Sequence, residues 1–186
     1  AAAKTVAGAT SALAKSGVPV SFIHGNRDFL LGSDYAAAAA LKLLPESITV
    51  DLYGYPTLLL HGDTLCTDDH AYQAFRSQSR DPAWQQAVLA MSVDERLALA
   101  QNARNVSMAH TGSAGMDIMD VNPDAVTKAF RDSGTHRMIH GHTHRPAVHS
   151  HDLGSGEEGQ RIVLADWYDK GSYLEVTAAG FFSKDL

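Results

Sequence analysis

Apolar positions along this chain recur at two spacings, and the switches between them mark its elements. Val6, Leu13 and the alanines between them repeat at helical intervals, which predicts a helix from Ala1 ending near Gly17. The run Val18-Pro-Val-Ser-Phe-Ile23 reads as a buried strand that delivers His24-Gly-Asn-Arg-Asp28 at its C-terminal end. Ile48 to Leu52 and Thr57 to Leu60 read as two short strands around the turn Tyr53-Gly-Tyr-Pro56, and the second runs into His61-Gly-Asp-Thr64. From Asp68 to Ala109 the spacing becomes helical, with Asp81-Pro82 as cap and first helical position and Ser92-Val-Asp-Glu95 as a capping box. Asn122-Pro123 opens a further helix that Gly134 closes, and Arg137-Met-Ile139 is a short strand leading into His140-Gly-His-Thr-His144. Beyond a polar, glycine-rich hairpin loop at Asp152 to Gly159, Arg161 to Ala165 and Ser172 to Thr177 read as antiparallel strands.

Composition narrows the functional classes. With 45% hydrophobic and 19% charged residues in 186, the chain is ordinary globular material for a single domain, residues 1–186, including a helical insertion at about 69–119. A formal net charge of -6 disfavours nucleic acid as a partner. Cys66 is the only cysteine, which excludes an intrachain disulfide and a thiolate zinc cluster and points to a reducing compartment. No run approaches the ~20 apolar residues of a spanning helix, so membrane contact is expected to be peripheral. The alanine-rich start has no Leu-rich stretch and is interrupted by Lys4 and Lys15, so it reads as an ordinary helix rather than a signal peptide.

The candidate chemistry lies at three strand ends, which present Asn26, His61 and the pair His142/His144. Residues two apart on an extended chain point the same way, so His142 and His144 are expected to reach one metal centre together. Gly25, Gly62 and Gly141 stand beside these residues and are expected to take positive φ. Mixed imidazole and oxygen ligation suits manganese, iron or zinc rather than calcium. His70, His110 and His136 stand alone and read as ordinary histidines.

GNRD at 25–28, HGD at 61–63 and GHTH at 141–144, in that order, resemble the later motifs of calcineurin-like metallophosphoesterases. Longer stretches, GNRDFLLG, HGDTLCTDD, DIMDVN and HGHTHRPAVH, are similar to the branch of that family that cleaves the diphosphate of UDP-2,3-diacylglucosamine in lipid A biosynthesis. The resemblance implies an α/β sandwich of two mixed sheets flanked by helices, with a helical lid. It also implies two manganese ions, release of UMP and a diacylglucosamine 1-phosphate, and a peripheral location on the cytoplasmic face of a Gram-negative inner membrane. By the same resemblance Asn26, His61 and His142 hold one metal and His144 the other, while Asn26, Arg27, Asp69, Ser107 and His142 lie near substrate, Arg27 and His142 in catalytic roles. Asp69 also reads as a helix N-cap and Ser107 as a helix-surface residue. Arg27 stands where many relatives carry a histidine acid, and arginine cannot donate that proton. A phosphate leaving group, with a second pKa of about 6, needs little protonation, which favours a diphosphate substrate. Trp84, Val88, Leu89, Met91, Leu97, Leu99, Val106 and Met108 are either the family's lid over acyl chains or a plain helix-on-helix core.

The sequence departs from that pattern in two places. The family's Asp-X-His and the Gly-Asp that supplies the bridging carboxylate should precede GNRD, and nothing before His24 supplies either. Asp68-Asp-His70 spells Asp-X-His, but at a helix start. The expectation is a chain without the first strand–helix–strand unit, unable by itself to hold two metals or to catalyse, with an exposed sheet edge that makes it poorly soluble or partly molten. The second departure is Thr111 and Ala114, where the family usually has Asn and Lys; Arg104 or Arg76 would compensate for the missing charge. Two other functions remain open: a metallophosphoesterase for another nucleotide diphosphate, and a non-catalytic metal- or nucleotide-binding protein.

Overall fold

A computed structural model describes residues 2–113, 120–154 and 156–186, without the side chains of 109–113. The protein is mixed α/β. Helix α1 (Ala2–Lys15) is followed by β1 (Val20–Phe22), α2 (Ser33–Ala39) and β2 (Leu41–Leu43). β1 and β2 pair in parallel as a small sheet. α1 buries none of its residues, and Val6 and Leu13, whose spacing marks the helix, are both exposed.

The main sheet has the order β3-β4-β5-β7-β6, built from β3 (Ser47–Leu52), β4 (Tyr55–Leu60), β5 (Arg137–His140), β6 (Ala147–Gly154) and β7 (Glu157–Val163). β4, β5 and β7 run parallel, and β3 and β6 close the two edges antiparallel. Tyr53 and Gly54 both have positive φ, so the first hairpin turns on two residues, and Tyr55 and Pro56 belong to β4 rather than to the turn. A third sheet pairs β8 (Ser172–Thr177) with β9 (Gly180–Asp185), so the partner of residues 172–177 is β9 and not the 161–165 segment. The hairpin partner of β7 is β6, and Asp152, Leu153, Glu157, Glu158 and Gly159, read as loop, belong to these two strands.

Between β4 and β5 lie a 3-10 turn (Asp63–Leu65) and three helices, α3 (His70–Ser79), α4 (Pro82–Ala90) and α5 (Val93–Ser113). Their starts follow local chemistry. Asp69 accepts from Tyr72 N, Asp81 accepts from Trp84 N, and Ser92 and Glu95 form the reciprocal capping box. Val88 is buried and Trp84 and Leu99 are half-buried, whereas Leu89, Met91, Leu97, Val106 and Met108 are exposed, so these side chains do not form a closed helix-on-helix core. Helix α6 (Pro123–Ser133) starts at Asn122, whose side chain accepts from Asp124 N and Ala125 N, and ends at Gly134 in the left-handed region. Its residues Val126 and Phe130, four apart on one face, complete the core with Leu58, Leu60, Leu65, Met138 and Leu153. Among the described residues no helix is long and apolar enough to cross a membrane.

Candidate active site

Because β4, β5 and β7 are parallel neighbours, their C-terminal ends open onto the same edge of the sheet, where open α/β sheets bind ligands. His61 follows β4 directly and His142 lies two residues beyond β5. A backbone bond from Gly141 N to His61 O at 3.0 Å continues the pairing past the strand ends and sets the two loops side by side. Nδ1 of His142 then lies 3.1 Å from Nε2 of His61, with the two rings edge to face.

The third loop comes from the small sheet. Residues 24–28 form a compact turn in which His24 bonds the Leu31 carbonyl at 2.8 Å and Asp28 accepts from Gly25 N at 2.5 Å. A Cβ on Gly25 would lie 3.0 Å from Cε1 of His61, so any larger residue would press on that ring, and glycine serves here for close approach rather than for its φ. That contact places half-buried Asn26 next in sequence to a residue packed on the His61 ring, with Arg27 exposed beyond it. Of the three glycines expected at positive φ only Gly62 has it, at 110°, and a Cβ there would also stand 2.6 Å from Nδ1 of His140. Gly141 has neither constraint.

The His142–His144 segment is not extended, which corrects the expectation of two side chains aligned along a strand. Both residues take the left-handed conformation, at φ 66° and 55°, and Thr143 N bonds back to Gly141 O at 2.8 Å. Two non-glycine residues held there in one short turn store backbone strain of the kind that collects at ligand clamps. His144 is turned outward, with Nδ1 3.8 Å from Asp166 Oδ2 and its ring against Tyr168.

Electrostatics keep the inner imidazoles neutral. Burial, reinforced by His61, pushes His142 down to about 4. His61 is lowered too, chiefly by burial, against the opposing pull of Asp63 and Asp28. Neutral imidazole is the state that binds metal. The two ring nitrogens that face each other are within hydrogen-bond distance, at 3.1 Å, and both would be available to an ion. His61 and His142 are the residues brought together that could hold an ion, with Asn26 placed near them only through Gly25 and His144 close enough for its charge to act on both buried histidines. Among the described residues, no group of three or more His, Cys, Asp or Glu side chains is gathered around one point.

The remaining candidates lie further out. Asp69 caps α3, and Ser107 is on the exposed surface of α5. The Thr111 side chain and Ala114 fall outside the described residues. Arg76 is not a free charge that could replace a missing lysine, because its guanidinium bonds Asp63 at 2.9 Å and Glu46 at 2.7 Å. Pattern reading passed over several residues that hold the site. Buried Arg161 donates to Nε2 of His140, whose Nδ1 then donates to the Gly141 carbonyl at 2.8 Å, behind the ligand turn. Tyr72 packs on the His142 ring and donates to buried Asp63 at 2.7 Å. Asp63 is written in the HGD motif, and its place two residues after a candidate ligand was the available signal.

No family model matches the chain. Curated relatives do, over nearly its whole length. A UDP-2,3-diacylglucosamine hydrolase of Stenotrophomonas maltophilia (strain K279a) is 51% identical over 97% of this chain and 75% of its own length. Proteins of the same name from Xanthomonas axonopodis pv. citri and Xanthomonas campestris pv. campestris are 50% and 48% identical over 96% and 100% of the chain. Histidines converging at parallel strand ends thus sit in a hydrolase framework. The chain belongs to the UDP-2,3-diacylglucosamine hydrolase family.

Proposed function

We propose that this protein hydrolyses the diphosphate of UDP-2,3-diacylglucosamine, giving UMP and 2,3-diacylglucosamine 1-phosphate, a step of lipid A biosynthesis. The observation that carries the reading is the pairing of His61 with His142 at 3.1 Å on adjacent parallel strand ends, in a chain about half identical to hydrolases of that name.

Asn26, His61 and His142 would hold one manganese ion, and His144 would belong to a second. When bound, such ions supply a hydroxide nucleophile and stabilise charge on the phosphoryl oxygens. Ahead of His24 these residues spell neither the Asp-X-His nor the Gly-Asp of a two-metal centre, so the reading rests on the ligands that follow. Arg27, exposed on the Asn26 loop, stabilises charge on the leaving phosphate and holds its proton throughout, since guanidinium does not act as an acid. Neutral His142 adds a hydrogen bond or a metal ligand at the same point. Asp69 and Ser107 are assigned to the sugar and acyl side, where the exposed apolar residues of α4 and α5 form the lid over the acyl chains. The same apolar surface supports a peripheral position on the cytoplasmic face of the inner membrane.

The test is a comparison of acylated and non-acylated substrates. With the intact gene product and manganese, UMP release from UDP-2,3-diacylglucosamine should exceed that from a non-acylated UDP-sugar by orders of magnitude. Preference for the non-acylated sugar nucleotide would replace this reading with a different diphosphate substrate.

A further inference from the structure

Helix α3 presents one face to two of the loops just described. Tyr72, Gln73 and Arg76 recur at i, i+1 and i+4, and Arg80, the C-cap residue, follows at i+8, so their side chains project from the same side. On that side Asp63, 3% exposed, accepts from Tyr72 Oη at 2.7 Å and from Arg76 Nε at 2.9 Å. Gln73 Nε2 donates to the carbonyls of Asp63 and Cys66, at 2.8 and 3.0 Å. All of these bonds fall on the segment that follows His61.

One turn further on, Arg80 reaches the other loop. Its guanidinium donates to the Gly25 carbonyl at 3.0 Å, immediately before Asn26, and lies over the Phe29 ring at 5.4 Å. Arg76 and Arg80 also share Glu46, with contacts of 2.7 and 3.4 Å. Both arginine side chains are only 16% exposed. A guanidinium presents several donors in a fixed plane, so each arginine can bond two partners and fix the separation between them.

We infer that Arg76 and Arg80 are positioning residues: from α3 they set the distance between the Asn26 loop and the His61 loop, and so the aperture in which the candidate ligands meet. The inference depends on the functional reading only in treating those two loops as ligand-bearing. Neither arginine touches the reacting atoms. Arg76 holds the His61 side through Asp63, and Arg80 holds the Asn26 side through the Gly25 carbonyl. Gly25 in turn packs on the His61 ring, so a shift of its loop is transmitted directly to a ligand.

The experiment compares Arg80→Met, Arg80→Lys and a control, Arg131→Met, which loses a similar guanidinium bond, to the Leu153 carbonyl, on α6. Imidazole nitrogen resonances of His61 and His142 are recorded in the metal-free chain at pH 8, together with melting temperature and manganese affinity. The expected result is displaced His61 and His142 resonances in both Arg80 variants but not in Arg131→Met. Manganese binding should weaken by roughly tenfold or more in Arg80→Met, the usual cost of losing a residue that orients metal ligands. Lysine keeps the charge but not the planar fork, so complete recovery in Arg80→Lys would show that charge alone matters and overturn the inference. Unchanged resonances in Arg80→Met, with a loss of melting temperature like that of Arg131→Met, would overturn it too. If the wild-type protein binds no manganese, the functional reading fails separately, and the imidazole resonances still decide the role of the arginines.

Discussion

At the scale of single residues, the site is a set of neutral imidazoles held by buried charge. Asp63 illustrates how. Burial alone would raise its pKa, yet the Tyr72 hydroxyl and the Arg76 guanidinium hold the carboxyl below the usual range, so it stays ionised in the core. Removing Arg76 leaves that carboxylate under-compensated, and Arg76→Met should lower unfolding stability by about 2 kcal/mol, read by urea denaturation. Arg27 is exposed, so its replacement should leave stability nearly unchanged while lowering turnover. Loss of a charge aimed at the leaving group costs roughly a hundredfold or more in kcat, and a fully active Arg27→Met enzyme would remove it from the chemistry. Much of this was legible in the sequence, since GNRD, HGD and GHTH name the loops that meet. The conformation of the loops was not. Nothing in a local pattern shows that His142 and His144 take the left-handed region, because tertiary bonds such as Arg161–His140–Gly141 impose it.

At the scale of elements, the parts that could be read early are those with chemistry confined to a few neighbouring residues. Asp81-Pro82, the Ser92–Glu95 box and the Asn122-to-Gly134 helix formed as expected, since a cap is satisfied within one turn. α2 and β2 escaped notice because a run of alanines carries no apolar contrast and Leu41–Leu43 is only three residues long. β6 and β9 were missed for another reason. Their alternation is dominated by polar residues, and only pairing with β7 and β8 defines them as strands. The helical insertion gives a prediction at this scale. Leu97 and Val106 are each 63% exposed on α5, so Leu97→Glu and Val106→Glu should change stability by no more than about 0.5 kcal/mol. The same changes should raise KM for the diacylated substrate several-fold and leave KM for a short-chain analogue unaltered. Equal effects on both substrates would take the acyl chains off this surface.

At the scale of the whole molecule, two buried histidines link folding to pH. His140 and His142 are both pushed down to about 4 by burial from an ordinary value of 6.5. Between those values the unfolded chain takes up protons that the folded one refuses. Stability of the metal-free protein therefore falls as pH drops from about 6.5 towards 4, and is insensitive to these groups above that window. Denaturation midpoints measured from pH 8 to pH 4 should decline in that range. His140→Gln should flatten the decline, and an unchanged slope would place its source elsewhere.

The end of β5, which makes the fold sensitive to acid, is also asked to bind metal, and one assay tests that role. UMP release from UDP-2,3-diacylglucosamine is measured for the intact gene product and for its His142→Ala variant, after chelation and again after manganese is restored. In the wild type, chelation should abolish activity and manganese should restore it. Loss of His142 should lower it by roughly a thousandfold, the several kcal/mol a bound ion contributes to charge stabilisation. UMP release that survives chelation, or is untouched by His142→Ala, would contradict the account.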